Sequence, residues 1–102
     1  MYRNRKLLDE AAKHSCQGCG ADDNTIVAAH SNQGMHGKGL GLKAHDCFIA
    51  FLCARCHEFV DRRKADQELR IDFWVDAHCR SIHLFYHLLN DEGRALLLKG
   101  RA

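Results

Sequence analysis

A chain of 102 residues holds one modest core, so a single domain over residues 1–102 is expected. Its 46% apolar and 27% charged content excludes a disordered tail or a fibrous repeat, and the lack of proline excludes a polyproline linker. A formal charge of +2 permits a polyanionic partner without requiring one.

The stretch Met1 to His14 lacks the apolar centre of a secretory leader, and the longest apolar run, Cys47 to Ala54, is too short to span a bilayer. A cytoplasmic location away from membranes is therefore expected. Thiols stay reduced there, so six cysteines point to metal before disulfides.

Asn4 to Lys13 is predicted as a short helix, capped by Asn4 and striped by Leu7, Leu8, Ala11 and Ala12. Ser15 to Asn24 is turn-rich and carries the first Cys-x-x-Cys, Cys16 and Cys19. Thr25 to His30 reads as a strand, Ser31 to His45 as a polar glycine-rich loop, and Cys47 to Leu52 as a buried strand. A second Cys-x-x-Cys, Cys53 and Cys56, follows at once, with a helix beginning near Cys56 or His57. Helical spacing of apolar residues from Asp66 to Leu89 predicts a long helix with a break near Cys79. Asn90 then caps a last helix through Leu98.

Two Cys-x-x-Cys turns let four thiolates converge on one tetrahedral ion, and the strand–loop–strand between them returns its end to its beginning. Cys16, Cys19, Cys53 and Cys56 are therefore expected to hold a structural Zn²⁺ that closes the base of a hairpin. Four cysteine ligands leave no open coordination position, so chemistry must come from neighbours. Those neighbours are His30 at the end of the first strand, Asp46 before the second, His57 directly after Cys56, and Asp61 one helical turn later. Cys47 reads as a core residue. Cys79, His83 and His87 form a helical row that either packs on the core or makes a second metal site. His45 is a rival to His30, Asp61 has Arg62 and Lys64 as alternative partners, and His14, His36 and His78 show no partner pattern.

The order Cys-x-x-Cys, strand-His, glycine-rich loop, Asp, apolar strand and Cys-x-x-Cys-His resembles the HNH endonucleases. More narrowly, AAHSNQGMHGKGLGLKAHDCFIAFLCARCHEFVDRR is similar to the small phage- and prophage-encoded YbcO-like nucleases. The resemblance covers about half the chain, roughly Cys16 to Arg63. It implies an α+β fold: a zinc-stapled ββα-metal core over residues 15–65, an N-terminal helix, and a helical extension over 66–102. It also implies metal-dependent hydrolysis of DNA phosphodiesters, in recombination or DNA processing, with His30 as general base and Asp46 orienting its ring. His57 and Asp61 would hold a catalytic cation, Mg²⁺, Mn²⁺ or Zn²⁺. Ala29 stands where many members carry a His or Asp ligand, and Asp46 where they carry Asn. Lys38, Lys43, Arg55, Arg62 and Arg63 are candidate phosphate contacts with little base specificity. The competing expectation is a non-catalytic zinc module that binds DNA or a recombination protein; a third is a protein-interaction domain that dimerises through its long helix.

Overall fold

Asn4 begins the first helix as expected, its side-chain oxygen accepting from the Lys6 N–H. In the computed structural model, which describes residues 1–62 and 66–100, this helix α1 spans Arg5–Glu10. It then tightens into a 3₁₀ turn over Ala11–Lys13. The tightening ends at His14, whose extended backbone leads into the first cysteine turn.

Strands β1, Val27–His30, and β2, Ile49–Leu52, pair antiparallel with Val27 opposite Leu52 and His30 opposite Ile49. Both are shorter than the β-rich runs predict, because turn hydrogen bonds take the missing residues, through side chains before β1 and through the backbone before β2. Asp23 accepts from both the backbone N–H and the hydroxyl of Thr25, holding it in a turn, and the Thr25 hydroxyl accepts from Ala54 N. Before β2, Phe48 turns back to donate to His45 O.

Helix α2 spans Ala54–Asp61, starting ahead of the predicted Cys56 because Cys53 serves as its N-cap. Its first turn closes when His57 N donates to Cys53 O at 2.9 Å. Helix α3 covers Gln67–Phe85 without the expected break near Cys79 and runs into a 3₁₀ turn over Tyr86–Leu88. Asn90 caps α4, Asp91–Gly100, by accepting from Gly93 N. The outcome is a small α+β fold of a two-stranded sheet and four helices among the described residues. No helix among them is long and apolar enough to cross a membrane.

The core lies between α3 and the sheet. All four β2 residues are buried, and Phe51 and Phe85 pack with ring centres 5.8 Å apart. A two-stranded sheet leaves one edge of each strand without a partner strand, and α3 covers the edge of β2 with polar side chains. Ser81 accepts from Phe51 N at 2.9 Å and donates through its hydroxyl to Ala77 O. His78 donates through Nδ1 to Ile49 O at 2.7 Å and stacks on Trp74, whose indole N–H reaches Ala29 O. His78 and His36, for which the sequence shows no partner pattern, are thus buried and paired, and His36 stacks on Phe48. Cys47 is fully buried as expected, and burial pushes its thiol up to about 12.

Candidate metal centre and an adjoining cleft

Gly20 takes a left-handed backbone, φ +84°, that lets the first cysteine turn fold back so that Cys16 N meets Ala21 O. Gln17 N then donates to Phe51 O at 2.8 Å, tying this turn to β2. The second pair sits at the start of α2. The four Sγ atoms lie within 4.8 Å of one another, with Cys19 and Cys53 3.7 Å apart. Four thiolates around a tetrahedral zinc with bonds of about 2.3 Å are spaced roughly 3.8 Å apart, so the donor set fits that ion.

The electrostatics agree. Burial raises the Cys16 thiol, yet N–H groups from Cys19, Cys53 and Gly18 outweigh it and bring the value down to about 7. Gly18 N and Cys19 N both approach Cys16 Sγ at 3.4 Å. The Cys56 thiol is held up by burial and then by the neighbouring cysteines. Without a cation these sulfurs resist ionising together; a dication would remove the conflict. The expected row of Cys79, His83 and His87 is neither core nor metal site. All three are exposed on α3 and the turn after it, and the four-cysteine group is the one ligand cluster among the described residues.

Beside this centre lies a cleft of about 560 Å³. Strand β1 delivers His30 to it, α2 delivers His57 and Asp61, and the glycine-rich loop delivers Lys38 and Lys43. Asp46 stands behind His30, its carboxylate accepting from His30 Nε2 at 2.8 Å. A carboxylate has no proton to give, so His30 donates through Nε2, and in the neutral ring the lone pair is then on Nδ1. Asp46 is itself held by Arg3 Nη1 at 3.1 Å and by Asn4 N at 2.7 Å, and its side chain is only 4% exposed. His57 Nε2 and Asp61 Oδ2 are 3.3 Å apart on one helix face, and Asn32 donates to the other Asp61 oxygen. Two ligand atoms on one octahedral cation with bonds of about 2.1 Å are separated by roughly 3.0 Å, so this pair fits a shared ion.

His45 does not reach the cleft; its Nδ1 accepts from Tyr2 N. Arg55 and Arg62 do not reach it either. They line a separate, more apolar groove with Phe59 and Phe73, and Arg62 also pairs with Glu58. The helical phase explains this: at about 100° per residue, Arg55 and Arg62 share one side of α2 and His57 and Asp61 another. Arg63 lies outside the described residues.

Sequence reasoning missed Arg3, Asn4 and Asn32. The first two reach Asp46 across 43 and 42 residues of chain, which no local pattern signals. Asn32 was within reach, since it stands two residues after His30 and extended backbone returns to the same side at that interval.

No protein-family model, no curated protein and no solved structure matches this chain. A functional reading therefore rests on the chemistry of these side chains.

Proposed function

We propose that this chain is a metal-dependent endonuclease of the HNH (ββα-metal) type, hydrolysing DNA phosphodiesters with little base specificity. One observation carries the reading: His30, His57 and Asp61, from a strand and a helix, line one cleft with Lys38 and Lys43. The lysines would meet the phosphates, and the basic Nδ1 of His30 would take the proton of an attacking water, a role suited to imidazole near neutral pH. The Asp46 contact fixes the tautomer that leaves Nδ1 free. His57 and Asp61 would hold a divalent cation, Mg²⁺, Mn²⁺ or Zn²⁺, which when bound polarises the scissile phosphate and offsets developing charge. The four cysteines would carry a structural zinc and take no part in the reaction.

The competing reading, a zinc module that binds DNA or a recombination protein without cutting, draws on Ala29. That residue is buried and its carbonyl is occupied by Trp74, so the cleft has one cation ligand fewer than many HNH sites. Nicking of supercoiled plasmid in Mg²⁺ or Mn²⁺ separates the two. Cutting by the unmodified chain, reduced about 100-fold or more in both His30→Ala and His57→Ala, supports the nuclease. No cutting by the unmodified chain, or undiminished cutting by both variants, sinks it.

A further inference from the structure

A second cleft, of about 680 Å³, adjoins the first and shares Asn32, Lys38 and Asp61 with it. Its far wall is formed by α3, through Gln67, Arg70 and Trp74. The two clefts thus form one trench that passes the His30–His57–Asp61 group and continues onto the long helix.

Arg70 is the cation that α3 brings to this second half, facing the shared Lys38. Its Nη1 donates to Val60 O at 3.1 Å, which anchors the guanidinium at the end of α2. Its Nε, by contrast, is out of solvent and has no hydrogen-bond partner. A guanidinium secured on one nitrogen keeps its Nε–Nη2 edge as a fork that matches two oxygens of a phosphate, and the dry Nε–H lacks the acceptor such an anion would bring after a small side-chain rotation.

We infer that the trench takes a polynucleotide strand, with Arg70 gripping a phosphate that flanks the one cut beside His30. The inference deepens the nuclease reading and rests on it: the substrate is a chain spanning both clefts, not a mononucleotide or a small diester that fills the first. Gln67, exposed at the start of α3, stands beside the same phosphate path.

The test uses the full zinc-loaded chain with two substrates, bis(p-nitrophenyl) phosphate and a 30-mer DNA. Arg70→Gln should keep its rate on the small diester within about twofold while losing roughly tenfold in kcat/KM on DNA, mainly through KM. Fluorescence anisotropy with added NaCl, without added divalent cation, should show the slope of log affinity against log salt reduced by about one. Because Arg70 also anchors α2, Gln67→Glu is the second variant. It breaks no contact, suits the first turn of a helix, and should weaken DNA binding by charge alone. Equal losses on both substrates, or unchanged DNA binding in both variants, overturn the inference. If the unmodified chain cuts neither substrate the nuclease reading falls, and the binding measurements then decide the role of Arg70 by themselves.

Discussion

Asp46→Asn is the substitution that best probes the support behind His30, because it changes one atom and keeps the shape. In the native chain Oδ1 accepts from His30 and Arg3, and Oδ2 accepts from Asn4 N at 2.7 Å. An amide has a single oxygen. If that oxygen serves His30 and Arg3, the amide NH₂ faces the Asn4 N–H, donor against donor. If it flips to serve Asn4, the NH₂ faces the part-exposed Arg3, and His30 can accept at Nε2 only by moving its proton to Nδ1, which removes the lone pair there. Either way one donor loses its acceptor, costing about 1–3 kcal/mol, and the remaining bonds lose charge assistance. A total of about 2–3 kcal/mol lowers Tm by roughly 10–20 °C in a domain of this size. Arg3→Ala is the companion variant: it removes the bonds to Asp46, Ala44 O and Lys43 O together and leaves the nearly buried carboxylate without its cation, so its loss should be at least as large. Thermal unfolding followed by circular dichroism reads both. An Asp46→Asn variant within about 0.5 kcal/mol of the native chain would refute the reasoning.

Three further outcomes are expected. Cys53→Ser should bind less than half an equivalent of zinc by atomic absorption and lose cooperative unfolding, since structural zinc supplies roughly 10–16 kcal/mol against a domain stability of about 5–15; a variant that stays folded without metal removes the staple. Ser81→Ala should cost about 1–3 kcal/mol by urea unfolding, because it strands the buried Phe51 N–H while keeping helix and volume, and a shift below about 0.5 would show that water reaches that edge. Burial holds the His36 imidazole below its usual value, and its Nδ1 shares a 2.6 Å hydrogen bond with the Ser31 hydroxyl. The unfolded chain therefore binds the proton more readily, and the His36 contribution, complete above about pH 6.5, fades as pH falls through the folded value. Stability measured between pH 7.5 and 5.5 should drop more steeply in the native chain than in His36→Gln; parallel curves would mean that His36 is not the group responsible.

What could be read from the sequence divides along the length scale of the interaction. The cysteine turns, the two strands, and the caps at Asn4 and Asn90 depend on residues a few positions apart, and all appear where the spacing places them. The edge of β2 does not. His78 and Ser81 look like ordinary helix residues until the helix lies along Ile49 and Phe51, and only then does their hydrogen-bonding capacity have a target. Arg55 and Arg62 lie apart from the cleft for the opposite reason. Their charge suited a phosphate, but the phase of α2 was already fixed by Cys56 and His57 and turns those two arginines to another groove.

That fixed phase links the two sites physically. Cys53 caps α2, Cys56 is buried in its first turn, and His57 is the next residue, so a metal on the cysteines sets the rotation of the helix about its own axis. A helix turned by one residue, about 100°, would carry His57 and Asp61 off the cleft wall and break the Asn32–Asp61 bond. On the other wall, Asp46 is held by the first residues of the chain, which keeps His30 in place independently of the cysteines. As chelator draws the zinc off, the His57–Asp61 half of the cleft should therefore disperse before the global unfolding that takes the His30–Asp46 half. In a titration with chelator followed by histidine NMR, the His57 resonance should broaden or move first. Simultaneous loss of both would show that the cleft depends on the metal as a whole, and that the N-terminal clamp holds nothing by itself.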